Sequence, residues 1–264
     1  MPLLKQLQIQ HFKAAKMIIN ILRKELKSMF ASPMGWVILA LLMLAFGMNF
    51  LNGIDNYFSV MQGSMRPAER VGVTQFVGQK LFSFAAFMAL FAVPLLSMRL
   101  IAEERRSLTL PFLFSAPVSI TDIVLGKFLS LVLFLGLIVI YIALMLFALS
   151  PWAEIDVGYI LANSFGLLLL IASFSAAGLY FSSITQQPVV AAILTFIVLF
   201  ALSFLNLVLP GDPSGVLANL SIMHRFQSFT GGLIDTGDIA FFVLLIITFL
   251  TLTIRRLDAD RLRG

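Results

Sequence analysis

The chain has 264 residues, 60% of them hydrophobic and only 12% charged, with a mean hydropathy of +1.00. Soluble domains carry roughly a quarter charged residues, so this composition specifies a polytopic membrane protein and leaves no polar stretch able to bury a separate core. Cysteine is absent, which excludes disulfides, thiolate metal sites and cysteine nucleophiles. The net charge of +5 would suit nucleic acid, but the placement of the charges gives it another cause.

From Leu4 to Phe30, apolar residues recur at Leu4, Leu7, Ile18, Leu22, Leu26 and Met29, near helical spacing. Lys13, Lys16, Arg23, Lys24 and Lys27 interleave with them. The pattern predicts an amphipathic interfacial helix over 1–33, its basic face toward anionic lipid. A cleavable secretory signal would instead carry one uninterrupted apolar run after its basic start. Ser32-Pro33 ends the helix and turns the chain.

About 20 apolar residues are needed to cross the hydrocarbon core as a helix. Six apolar segments are the candidate spans: Met34 to Leu51, Phe76 to Met98, Phe128 to Leu149, Ile160 to Ile184, Pro188 to Leu209 and Ile239 to Ile254. An even number puts both termini on one side. Fourteen of the eighteen Lys and Arg then fall on the side of the N-terminus, and only Arg66, Arg70, Lys80 and Arg225 fall opposite. Such a bias marks the cytoplasmic side. The basic balance is therefore topology, and nucleic acid drops out as a partner. Both termini are expected in the cytoplasm, and the tail over 255–264 with them.

Within the spans, Pro94 predicts a kink in the second. The three-residue link Thr185-Gln186-Gln187 predicts a tight helical hairpin between the fourth and fifth. Pro188 sits where a first helical turn tolerates a missing N–H. Small residues Ser173, Ser175, Ala176, Ala177 and Gly178 favour close helix packing.

Every Asp and Glu lies outside the six segments or at their edges. An ion-coupled carrier usually holds ionisable groups at membrane depth, despite a cost of roughly 2.5–3.5 kcal/mol each. Broken helices and backbone carbonyls offer another route to ion coupling, so a secondary carrier stays as a lesser alternative. The serines within the spans have no His or Lys base at their depth, and no HExxH, phosphate-binding or dinucleotide-binding glycine motif is present. No catalytic or metal-ligating set is expected, and lone His224 reads as loop structure. If the chain moves anything against a gradient, the work must enter from a partner.

The segment Arg99 to Lys127 is the available handle. Glu103 and Glu104 stand beside Arg99, Arg105 and Arg106, followed by a short apolar run and a helix start at Ser119 to Asp122. The residues 98–106 (MRLIAEERR), Thr109-Leu110, Ser115-Ala116-Pro117-Val118-Ser119 and Ile123-Val124-Leu125-Gly126-Lys127-Phe128 resemble the ABC-2 type permeases, the membrane subunits of ATP-binding-cassette exporters. Ser182-Ser183-Ile184-Thr185 with Val189 to Phe196 fits the same family. So do Leu220-Ser221, His224, Phe226, Phe229, residues 232–236 and Asp238. The most similar branch is the gliding-motility and nitrous-oxide-accessory type, the type V exporters. The departures are Leu108, where the family usually has glycine, Pro111 in place of Glu, and Gly231 and Gly237 in place of basic residues.

The resemblance implies one ABC-2 type transmembrane domain over 1–264, all-α, with six transmembrane helices over 34–254 and a cytoplasmic coupling helix between spans 2 and 3. It implies a bacterial cytoplasmic (inner) membrane, and a dimer with a second copy or a related permease. An ABC-type ATPase partner would hold the ATP and Mg, with no cofactor in this chain. The contact with that ATPase maps onto Glu103, Glu104, Arg105, Arg106, Thr109, Ser115, Ala116, Pro117, Val118, Ser119 and Asp122. Lys13, Lys16, Arg23, Lys24 and Lys27 map onto the interfacial helix. The alternative is a mechanical complex acting on an extracytoplasmic protein partner.

Overall fold

A computed structural model describes residues 2–60, 72–109, 118–205 and 220–263, with side chains from Lys16 to Leu262. The described residues form helices α1 (Pro2–Ala31), α2 (Pro33–Ser59), α3 (Val73–Ser97), α4 (Arg99–Arg106), α5 (Ile120–Phe147), α6 (Val157–Ile184), α7 (Pro188–Ser203), α8 (Ile222–Thr230) and α9 (Thr236–Arg263).

Five stretches are long and apolar enough to cross a membrane: α2, α3 with α4, α5, α6, and α9 over Thr236–Leu262. The sequence predicts six. The difference is α7, whose 16 residues fall short of the roughly 20 that a span requires. Residues 206–209 of the predicted fifth span lie outside the described residues.

The helices run past the apolar segments because backbone bonding and capping set their ends. The Ser119 side chain accepts from Asp122 N at 3.1 Å, so α5 starts well before Phe128. Asp156 does the same for Tyr159 N at 3.0 Å and starts α6. Pro33 and Pro188 occupy the first turns of α2 and α7. Helix α3 runs through Pro94, and a turn at Met98 joins it to α4.

Helix α6 is central and packs against α3, α5, α7 and α9. Its small residues Ser173, Ser175, Ala176, Ala177 and Gly178 are all buried, as close packing requires. Helix α2 is peripheral, exposing Leu41, Leu44 and Met48.

The predicted interfacial helix is α1, and between Met17 and Met29 its apolar side is partly covered by protein. It packs along α5, where Gly126 leaves room for it. A Cβ at Gly126 would stand 2.7 Å from Ile21 Cγ2. Lys16, Arg23, Lys24 and Lys27 are exposed on the outer side, while the side chain of Lys13 lies outside the described residues.

The candidate functional site at α4

Helix α4 lies at the end of the bundle where α1 meets α2 and where α3, α6 and α9 finish. Leu100, Ile101 and Ala102 turn into the bundle. The first-turn amides of a helix lack intrahelical partners, and here another helix supplies one. Ser182 of α6 accepts from Ile101 N at 3.2 Å and Ala102 N at 3.0 Å, and donates to Met98 O at 3.0 Å.

The other end of α4 closes on itself. Thr109 N donates to Glu104 O at 3.0 Å and Leu108 N to Arg105 O at 3.3 Å. This paired closure needs a left-handed residue after the cap, a place usually taken by glycine. Leu108 takes it, with φ +56°. The Ser107 hydroxyl donates to Glu103 O at 2.8 Å.

Glu104 and Arg105, adjacent in sequence, turn to opposite neighbours. Glu104 Oε1 accepts from Lys127 Nζ at 2.7 Å. The same ammonium donates to Glu25 Oε1 of α1 at 3.1 Å and to Leu100 O at 2.7 Å. Lys127 is only 2% exposed, and its three protons meet three acceptors, while Glu25 and Glu104 are 12% and 20% exposed and also line the cleft beside α4. Such charge-assisted bonds are short and strong in a low-dielectric setting. Glu104 Oε2 is buried without a protein partner. Arg105 pairs with Asp260 of α9, and Arg256 approaches the same carboxylate at 3.8 Å. Helix α4 is thus bonded to α5, α6 and α9, and through Lys127 of α5 it is linked to α1.

The outward side of α4 is different. Glu103 and Arg99 are 58% and 48% exposed and only 4.0 Å apart, a pairing worth little in water. Arg106, Ser107 and Thr109 are exposed too. Two clefts flank this side. One of about 340 Å³ opens between α4 and the α1–α2 elbow, lined by Lys24, Ser28, Arg99 and Glu103 among others. One of about 390 Å³ lies between α4 and the start of α7, lined by Arg106, Pro188 and Val189 among others.

The structure therefore divides the sequence-predicted set. Glu103, Arg106, Thr109 and Ser119 are exposed, and Val118 and Asp122 partly so. Glu104 and Arg105 are engaged inside the bundle. Ser115, Ala116, Pro117 and the departure at Pro111 lie outside the described residues. Sequence reasoning passed over Lys127, Glu25, Asp260 and Ser182 as site residues. One signal was available: Glu25 is the single acid among residues 1–33, facing a single lysine in the apolar run of α5.

At the opposite end, α8 is packed between α6 and α9. Phe229 rests on Gly166, where an added Cβ would fall 2.5 Å from its Cγ. Phe229 also meets the Phe242 ring at 6.2 Å. Tyr159 donates to Thr230 O at 2.9 Å, and Arg225 pairs with buried Asp238 at 2.8 Å. His224 is half-buried. Among the described residues, no group of three or more His, Asp or Glu is placed to hold a metal ion.

No curated protein matches the chain in sequence. A profile for the ABC-2 family transporter proteins matches residues 19–260, from within α1 to Asp260, the partner of Arg105 on α9. The match takes in every helix that converges on α4, and the chain belongs to the ABC-2 family of transporter proteins, as a multi-pass membrane component.

Proposed function

We propose that this permease component of an ABC transporter serves an exporter, passing work from a cytoplasmic ATPase to a substrate leaving through the bilayer. In this reading α7, completed by residues 206–209, is the sixth span. The basic flanks place both termini and α4 in the cytoplasm. Two permeases, identical or related, pair across the membrane, each seated on one ATPase that holds ATP and Mg. Nucleotide chemistry belongs to the partner, and this chain supplies only contact and movement. The family branch we assign is the type V exporter group.

The observation that carries the reading is the two-sidedness of α4. Its inner side is bonded to three other helices and through Lys127 to a fourth, while Arg99, Glu103, Arg106, Ser107 and Thr109 face outward. A surface that can be pushed is thus fixed to a frame that can carry the push. A partner shifts a conformational equilibrium only by binding its two states differently. Nucleotide-driven closure of an ATPase pair would supply that difference at this surface.

Charge reversal tests it. Glu103→Arg and Arg106→Glu leave the bundle's buried pairs intact, so the permease should insert and melt normally. Each should lower co-purification of the ATPase by at least tenfold. Full recovery of ATPase with both variants would remove α4 from the docking surface. Purification of the native chain without any nucleotide-hydrolysing partner would remove the function itself.

A further inference from the structure

Helix α4 continues α3 across one weakened step. Pro94 has no N–H to give the Leu90 carbonyl, and the helical path then runs on through Met98, whose N–H donates to Pro94 O at 3.1 Å. A push on α4 can bend that joint. What fixes α4 is lateral: Ser182 on α6, Asp260 on α9, and above all Lys127 on α5. The Lys127 ammonium is the only one of these links that reaches a third helix, through Glu25 of α1.

We infer that Lys127 is a positioning residue that makes α1, α4 and α5 move as one body when the ATPase acts on α4. The inference rests on the permease reading above and deepens it, because it assigns the route by which the push leaves the docking surface. All three protons of the ammonium are used, one on each of Glu25, Leu100 O and Glu104. Withdrawing the acceptors would strand the ammonium, which is 2% exposed, and this keeps the joint closed through a cycle. The charged groups beside it do not replace it. Lys24 lies 3.8 Å from Glu25 but is 68% exposed, and Arg99 and Glu103 face the cleft. Gly126, next in chain, brings α1 close enough for Glu25 to reach Lys127. Movement applied to α4 therefore enters α1 and α5 together, instead of being lost as a bend at Pro94.

The absence of native cysteines makes the test direct. Spin labels at Asn20→Cys on α1 and Leu108→Cys at the end of α4, both exposed and outside the named docking residues, report the α1–α4 distance by pulsed electron resonance. A second pair, Leu233→Cys on each permease of the complex, reports the far end. In lipid nanodiscs with the co-purified ATPase, we expect the α1–α4 distance to stay constant between nucleotide-free and vanadate-trapped states while the far-end distance shifts. Lys127→Met should at least double the width of the α1–α4 distribution and abolish the far-end shift, although ATP is still bound and trapped. Glu25→Gln leaves Lys127 and Glu104 as a one-to-one pair, and should broaden the α1–α4 distance even if Lys127→Met fails to assemble. An α1–α4 distance that changes with nucleotide in the unmodified complex overturns the inference. So does an unbroadened distribution in Glu25→Gln. If no ATPase accompanies the unmodified chain, the permease reading fails, while the joint is still judged from the width in the isolated protein.

Discussion

The two ends of this bundle are held by different mixtures of charge and shape. At the α4 end, charges do most of the joining: Lys127 with Glu25 and Glu104, and Arg105 with Asp260. At the α8 end, shape has the larger part: Phe229 seated on Gly166 and Phe229 against Phe242, beside the Tyr159 hydroxyl on Thr230 O and one ion pair, Arg225 with Asp238. A charged joint depends on partners being present in number, and fails when one is removed. A packed joint fails when volume is added. The comparison teaches where a signal can be received. The α4 end exposes polar groups beside its joint, whereas the α8 contacts fill their own space.

Four outcomes would break or sharpen that contrast, from the largest effect to the smallest. Lys127→Met leaves two partly buried carboxylates against each other beside the cleft, and should cost about 3 kcal/mol, the low end for a broken buried pair, read as a lowered thermal midpoint in detergent or nanodiscs. A loss below 1 kcal/mol would mean that water already reaches the joint. At the packed end, Gly166→Ala should cost about 1–3 kcal/mol by forcing Phe229 away. It should also raise the exchange of α8 amides without disturbing those of α4. Exchange that rises at both ends would show the joints to be one cooperative unit.

Leu108→Gly should act in the other direction. A left-handed conformation costs a residue with a Cβ roughly 1–2 kcal/mol, and Leu108 is 75% exposed with little packing to lose. The variant should stabilise the end of α4 by about 1 kcal/mol, seen as slower exchange at Thr109 N. The smallest effect belongs to Glu103→Gln. Its distant, exposed pairing with Arg99 holds about 0.3–0.5 kcal/mol, so the melting point should barely move while ATPase co-purification falls. A large stability change would place Glu103 inside the joint, alongside Glu104.

Much of this was legible in the sequence. The spans followed from runs of apolar residues, because a bilayer core accepts little else. The helix start at Ser119 followed from capping chemistry that is local to four residues. Leu108 stood out where the resembled permeases usually carry glycine, and the backbone there is left-handed, as glycine prefers. Less legible were the roles of Glu104 and Arg105. They share a charged run with Glu103 and Arg106, and helical rotation of roughly 100° per residue sends neighbours in different directions. Which of them faces inward depends on where Lys127 and Asp260 stand, and those residues lie far along the chain. What lies against the apolar side of α1 was not legible for the same reason. Its spacing shows that one side must be covered, but α5 does the covering, through Gly126.

The sequence by itself determined the solvent of this protein, the approximate positions of its spans, the helix ends set by local caps and the family to which its α4 region points. These are properties of short windows, governed by hydropathy and by hydrogen bonds between near neighbours. Only the tertiary structure decided which charges are buried and which are offered outward. A lysine between two carboxylates from residues 25 and 104 is a fact of packing between helices distant in sequence.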